Sequence, residues 1–130
     1  MKCKVFVIVG LVLMLTGLVV YEEIMVNNSL NLIFEKSIKL QAFTADSEYI
    51  NNSYVVTEAD QIYDIWEDYE DKLSFVINHK NIQDMGIQIT NLKAYITTND
   101  IEDFRQTIAL IVYYTDLFRH MAGVSLDSIF

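Results

Sequence analysis

The chain has 130 residues, with 18 acidic and 9 basic side chains, so its formal net charge at neutral pH is −9. Such an acidic balance argues against nucleic acid as a partner, because phosphate backbones are bound by clustered lysine and arginine side chains. Cys3 is the only cysteine, which excludes an intramolecular disulfide. The length allows one compact domain besides a short N-terminal segment.

Residues 5–21 form an uncharged and strongly apolar stretch, preceded by Lys2 and Lys4 and followed by Glu22 and Glu23. As an α-helix rising ~1.5 Å per residue, this stretch spans about 26 Å, close to the thickness of the hydrocarbon core of a bilayer. The sequence therefore predicts a membrane anchor over residues 1–26 that contacts lipid through its apolar stretch.

A removable signal peptide has the same basic start and apolar middle, and it is the alternative to a permanent anchor. The apolar stretch is longer than the ~7 to 15 residues of most signal-peptide cores, and no Ala-x-Ala-like motif precedes Glu22. These features favour an uncleaved signal-anchor. Because Lys2 and Lys4 precede the span, we expect a cytoplasmic N-terminus and an extracytoplasmic domain over residues 27–130. The acidity of that domain predicts that it stands off anionic lipid.

Apolar residues recur at helical spacing along the whole domain. The acidic residues between Glu58 and Asp71 are interpreted as the solvated face of one such helix rather than as a cation site. A less regular helix is predicted near residues 29–49. The apolar positions of the three regular helices are Ala59, Ile62, Trp66, Tyr69, Leu73 and Val76; Ile82, Met85, Ile89, Leu92 and Ile96; and Phe104, Ile108, Ile111, Thr115 and Phe118.

Polar residues near the predicted boundaries can cap these helices. Gly123 suits the left-handed position after the last helix. Short connections and the absence of proline favour antiparallel packing of neighbouring helices. The predicted fold is therefore all-α, an N-terminal transmembrane helix followed by an antiparallel bundle of about four helices. The predicted N-caps are Ser29, Thr57, Asn81, and Asn99 or Asp100.

The second half of the chain resembles an uncharacterised family of small single-span proteins from spore-forming, low-GC Gram-positive bacteria, classed as a domain of unknown function. The resemblance lies in Trp66, the stretch 73–79 with Ile82 after it, the motif Leu92-x-x-Tyr95-Ile96, and the Ser-Leu-Asp-Ser-Ile-Phe ending at 125–130. It implies no established activity. It does imply that genes of such proteins neighbour a gene for a multi-span membrane protein of the YetF-like type.

The residues show no pattern typical of an enzyme. Neither His79 nor His120 has a histidine, cysteine or carboxylate three or four residues after it, so no metal-ligand pair is formed in that direction along a helix. Both histidines lie near the end of a predicted helix, where a histidine side chain can cap the helix or interact with its dipole, so neither requires a functional explanation. The glycines are scattered and form no phosphate-binding loop. We therefore expect no catalytic activity, no metal and no cofactor.

Two functions remain open. The favoured one is a membrane-anchored interaction module, an accessory to another membrane or envelope protein, such as a YetF-like one; the alternative is a small-ligand or cation-sensing helical bundle. Trp66 is expected in the core, with binding as its alternative role. The apolar tail after Gly123 is expected to fold back into a groove or to insert into a partner. The candidate partner-binding residues are Trp66, Tyr69, His79, Leu126, Ile129 and Phe130.

Overall fold

The computed structural model describes residues 2–129 except 75 and 76, with side chains described except at 22, 23, 26 and 122–129. The described part is helical and contains no strand. This confirms the all-α prediction. The four helices are α1 (Lys2–Thr44), α2 (Ser53–Leu73), α3 (His79–Thr97) and α4 (Ile101–Ile129).

The helices form an antiparallel bundle in which each helix packs against its neighbours in sequence. The contacts α1–α2, α2–α3 and α3–α4 follow the chain, and α4 returns to α1 to close the ring. Within the described residues, the backbones of the diagonal pairs α1–α3 and α2–α4 do not approach each other closely, with no Cα atoms within 8 Å. This is the up-down-up-down arrangement that short connections impose.

The core follows the predicted helical spacing closely. In α3 and α4, every predicted apolar position is buried, including Thr115, whose hydroxyl donates to the Ile111 carbonyl one turn earlier. In α2, Tyr69 is only half-buried and packs against the edge of the core. Val76 lies outside the described residues. The three- and four-residue spacing therefore identified the inward face of three helices.

Helix α1 differs from the prediction, because the apolar N-terminal segment and the first bundle helix are one continuous helix of 43 residues. The predicted helix start at Ser29 is wrong. The Ser29 hydroxyl donates to the Met25 carbonyl at 2.8 Å, a bond within the helix that satisfies the hydroxyl without ending the hydrogen-bond ladder. The helix ends at Thr44 rather than Tyr49.

The caps of α2 and α3 lie earlier than predicted. Thr57 and Asn81 are inside their helices, and the caps are Asn52 and Asn78. The Asn52 Oδ1 accepts from the Val55 N–H at 3.1 Å, and the Asn78 Oδ1 accepts from the Lys80 N–H at 2.8 Å. An asparagine amide oxygen thus satisfies a free donor of each first turn.

At the start of α4, the two predicted caps have different roles. Asp100 is the cap, since its carboxylate accepts from the Asp103 N–H at 3.4 Å. Asn99 has a left-handed backbone with φ of 52°. Its amide oxygen accepts from the Ile50 N–H at 2.8 Å, and its amide nitrogen donates to the Glu48 carbonyl at 3.3 Å. Asn99 therefore ties the α3–α4 connection to the α1–α2 connection.

Arg105 completes this end of the bundle, which we call the distal end and define by residues 45–52 and 98–100. Its guanidinium Nη2 donates to the carbonyls of Thr44, Ala45 and Ser47, at 3.4, 3.0 and 3.2 Å. The last carbonyls of a helix have no partner within the helix. Arg105 supplies donors for them from α4 and so caps α1 from a neighbouring helix.

The expected chain reversal at Gly123 is wrong, because α4 continues through this residue to Ile129. A helical Gly123 has no left-handed conformation that would turn the chain back. The side chains of the tail, including Leu126 and Ile129, lie outside the described residues, as does all of Phe130.

Candidate functional site

The N-terminal half of α1 presents an apolar surface that the bundle does not cover. Residues 2–21 are long and apolar enough to cross a membrane, and none of the residues in this stretch is buried. Phe6 and Leu13 expose 76% and 67% of their surface, whereas Leu30 and Ile33 of the same helix are buried in the core. A contiguous apolar surface of this size indicates contact with lipid or with another apolar surface.

A groove of about 860 Å³ lies between the C-terminal half of α2 and the N-terminal half of α3. It is partly open to solvent. Its volume is in the range of ligand-binding clefts. The groove is lined by residues of both helices and by Ser74, which directly follows α2. From α2 these are Trp66, Glu67, Glu70 and Asp71, and from α3 they are His79, Ile82, Gln83, Gly86, Ile87, Thr90 and Asn91.

Trp66 forms the inner wall of this groove. The side chain is 1% exposed, and its ring stacks on Phe118 of α4 with centroids 6.4 Å apart. Its indole Nε1 has no hydrogen-bond partner among the described residues. A Cβ atom at Gly86 would lie 3.4 Å from Nε1, so this edge of the indole faces the backbone of α3 at the position where α3 has no side chain. A buried N–H without an acceptor is uncommon and costs stability.

Three carboxylates of α2 line the groove beside Trp66. Glu67, Glu70 and Asp71 are spaced three and four residues apart, which places them on one side of the helix. Burial raises the pKa of the Glu70 carboxyl, and the negative charges of Glu67 and Asp71 raise it further. The nearby Trp66 N–H lowers this pKa in part, although no acceptor is within hydrogen-bonding distance of Nε1.

His79 lies at the opposite wall, as the first residue of α3. Its ring is exposed, and Nε2 is 3.1 Å from the Gln83 side-chain amide. His120 is exposed on α4, where Nδ1 is 2.8 Å from the Asp116 carbonyl oxygen. In the described part of the chain, no three histidine, cysteine or acidic side chains are grouped to hold a metal ion. The groove therefore has the chemistry of an anionic, hydrogen-bonding surface.

The predicted binding residues do not all meet. Trp66 and His79 line the same groove. Tyr69 is not part of its lining, and the Lys72 Nζ lies 5.4 Å from the centroid of the Tyr69 ring. The groove adds residues that the sequence did not single out for binding. These are chiefly Glu67, Glu70, Asp71, Gln83, Gly86 and Ile87.

Contacts between helices show which end of the bundle holds the groove. The Lys36 Nζ is 3.3 Å from a Glu58 carboxylate oxygen and also donates to the Gln61 side chain. These contacts place Glu58 and Gln61 of α2 level with Lys36 of α1. Because the two helices run in opposite directions and both rise ~1.5 Å per residue, the later residue Leu73 of α2 lies about level with the earlier residues 21–24 of α1. The guanidinium carbon of Arg119 in α4 lies 4.2 Å from the centroid of the Phe34 ring in α1. Because α4 also runs antiparallel to α1, its last residue, Ile129, lies near the level of residues 21–24 as well. The groove therefore lies at the end of the bundle next to the apolar stretch, here called the proximal end.

These features define a class: small four-helix bundles whose first helix extends into an uncovered apolar segment. The chain belongs to the DUF4363 family, a domain of unknown function, whose family model matches residues 24–129. The match begins near the end of the apolar stretch and covers all of α2, α3 and α4. No curated protein and no solved structure matches the chain.

Proposed function

We propose that the protein is a membrane-anchored interaction module whose bundle docks on another membrane or envelope protein. The observation that carries this proposal is the continuous helix α1, of which residues 2–21 are apolar and unburied while residues from Leu30 onward form the bundle core. Exposed apolar side chains along some twenty residues are stable in a bilayer and unfavourable in water. We assign no catalytic activity to the module.

Charge supports one orientation. Lys2 and Lys4 precede the apolar stretch, and all 18 acidic residues of the chain follow it. Positive charges near a span favour the cytoplasmic side. In the proposed arrangement the N-terminus is cytoplasmic, and the bundle faces outward as an uncleaved signal-anchor protein.

The register of the helices supports a partner in the membrane. Leu73 and Ile129 lie about level with residues 21–24, so in the proposed arrangement the bundle lies next to the bilayer surface. The charge of the domain alone predicts the opposite, that it stands off the lipid. A bundle in this position is within reach of the loops of a multi-span protein, and the resemblance of the second half of the chain suggests a YetF-like protein as a candidate.

Cysteine labelling in intact cells tests the anchoring and the orientation. The native Cys3 is exposed, and a second protein, Cys3→Ser with Glu102→Cys, carries its thiol in the first turn of α4, beside the distal end. We expect a membrane-impermeant maleimide to label Glu102→Cys in intact cells and Cys3 only after permeabilisation. The reverse pattern would overturn the orientation, and release of the protein by alkaline carbonate would overturn the anchoring.

The groove favours a second candidate function, a bundle that senses a small ligand or cation. Its volume fits a small molecule, and its acids fit a positive charge. Titration of the chain with small amines, followed through the fluorescence of Trp66, the only tryptophan, measures such binding directly. A saturable change at micromolar amine would support sensing, and no change up to millimolar amine would exclude it for that class.

A further inference from the structure

We propose that the groove between α2 and α3 binds an extended, basic peptide segment of the membrane partner. This inference rests on the proposed function and specifies the surface that carries it. The expected contacts are ion pairs from lysine or arginine side chains to Glu67, Glu70 and Asp71, and a hydrogen bond from the Trp66 N–H to a peptide carbonyl.

The charge of the lining gives the first argument. Three carboxylates line the groove, and among the described residues no lysine or arginine lines it. Outside the groove, two acids of α2 have basic partners, since Glu58 pairs with Lys36 and Asp60 pairs with Lys93 at 3.0 Å, whereas the exposed Asp64 and Asp68 have none among the described residues. The groove carboxylates have no such pair within the described part of the chain. A basic segment supplies the missing positive charge.

The buried indole gives the second, independent argument. The Trp66 Nε1 donor is buried and faces the groove wall at Gly86 without an acceptor. A ligand that satisfies it must carry an acceptor next to its positive charge. Protonated polyamines and inorganic cations offer no acceptor, whereas every peptide unit offers a carbonyl oxygen. This favours a peptide over a small cation.

The dimensions also fit a peptide. Lining residues on α3 run from His79 to Asn91, a rise of about 18 Å, which matches five or six extended residues. Ile87 is 55% exposed and offers apolar surface to the methylene stems of lysine or arginine. Gln83 and Asn91 supply side-chain amides for the peptide backbone.

Peptide titration of the full chain in phosphatidylcholine nanodiscs tests the inference. The probe is a fluorescent hexapeptide that alternates lysine and serine, and the control probe has glutamate in place of lysine. We expect saturable binding of the basic probe alone. The double variant Glu67→Gln/Glu70→Gln should weaken it about tenfold. The matched variant Asp64→Asn/Asp68→Asn removes the same charge from α2 outside the groove and should leave affinity within about twofold.

Three further variants distinguish binding in the groove from general electrostatic attraction to the acidic chain. Ile87→Lys places a competing cation in the groove, and we expect at least a roughly tenfold loss. Leu110→Lys adds the same charge on α4, where Leu110 is also exposed, and should have little effect. Trp66→Phe keeps an apolar ring and removes the donor, so affinity should fall about three- to tenfold, with helix content checked by circular dichroism.

Several outcomes would overturn the inference. Equal losses from the two double variants would mean that binding follows overall charge. Spermidine binding as tightly as the peptide, with no effect of Trp66→Phe, would make the groove a small-cation site. Absence of saturable peptide binding would remove the groove as a docking surface.

Photo-crosslinking in native membranes distinguishes this failure from failure of the proposed function. A photoreactive residue at Ile87 reports on the groove, and one at Tyr113, which is exposed on α4, reports on another face. Capture of one defined membrane protein from position 113 but not 87 would retain the interaction module and reject the groove. Capture from neither position, in a chain released by carbonate, would reject the proposed function itself.

Discussion

The two ends of the bundle satisfy their polar groups in opposite ways. At the distal end, Asn99 and Arg105 reach across to the α1–α2 connection and bond its free backbone groups. At the proximal end, the α2–α3 groove stays open, with three carboxylates and the unpartnered Trp66 N–H along it. A closed polar network stabilises a fold, whereas unsatisfied groups in a cleft leave binding energy for a ligand. The contrast indicates that the distal end holds the bundle together, and it supports our proposal that the proximal end is where a partner docks.

The largest effect is expected at Trp66, where fold and groove meet. Trp66→Ala removes a buried ring that stacks on Phe118, and should lower the free energy of unfolding by ~3 to 5 kcal/mol. Urea unfolding of the full chain in detergent, followed by circular dichroism, measures this. Trp66→Phe is the control and should cost clearly less. Similar losses for both variants would mean that a phenyl ring recovers none of the packing, which would contradict a cost set by the volume of the cavity.

The next effect is expected at Asn99, which combines a left-handed backbone with two side-chain bonds. Asn99→Ala loses both bonds and strains the backbone, so the free energy of unfolding should fall by ~2 to 3 kcal/mol. Asn99→Gly keeps the backbone relaxed and should lose about half as much. Equal losses in the same urea experiment would contradict the role of the left-handed conformation.

A smaller effect is expected at Arg105. Arg105→Met keeps an apolar stem and removes the donors to three carbonyls at the end of α1, which should cost ~1 to 2 kcal/mol. Hydrogen exchange measured by mass spectrometry should show faster exchange in residues 40–48 than in the parent. Unchanged exchange there, with the same overall stability, would show that solvent replaces the guanidinium at no cost.

The smallest effect is expected from Glu70→Gln, and its sign is the reverse of the others. The pKa of Glu70 is raised in the folded protein, so folding disfavours its charged form. The resulting destabilisation is present above the folded pKa and disappears as pH falls below the unfolded value near 4.5. Glu70→Gln should therefore raise the melting temperature at pH 7 and lose this advantage near pH 4. Asp103, whose pKa is raised through its interaction with Asp100, is present in both proteins and cancels in the difference.

Asp64→Asn is the matched control for that comparison, because it removes one charge from an exposed part of α2. We expect a smaller change in its melting temperature at pH 7. A gain from Asp64→Asn as large as that from Glu70→Gln would attribute the effect to the net charge of the helix rather than to the groove.

Much of the fold could be predicted because the apolar spacing in α3 and α4 fits one face of an α-helix and few other structures. Ile82 through Ile96 and Phe104 through Phe118 alternate by three and four residues, and all these positions are buried. The caps were harder, since several competent residues lie near each boundary. Asn52 and Thr57 can both cap α2 by chemistry alone, and only the path of the preceding connection decides between them. Ser29 resembles a cap in sequence but bonds within a helix that passes through it.

The candidate site was only partly predictable for a related reason. The spacing placed Trp66 on the inward face of α2, and the structure confirms its burial. Whether a flanking acid such as Glu70 faces solvent or a neighbouring helix depends on the rotation of α2 against α3, which one helix pattern does not determine. Gly86 shows the same limit, because its significance comes from the tryptophan edge that it faces.

The unbroken helix α1 also fixes the rotation of the bundle, about its long axis, relative to the apolar stretch. Each residue of an α-helix turns by about 100°, so the direction in which the groove opens is set by the number of residues between the bundle and the apolar stretch. A docking event that turned the bundle about its long axis would turn residues 2–21 with it. In the proposed membrane arrangement, a neighbour within the bilayer would then meet a different side of that stretch, so docking at the bundle would change contacts within the lipid without a hinge between them.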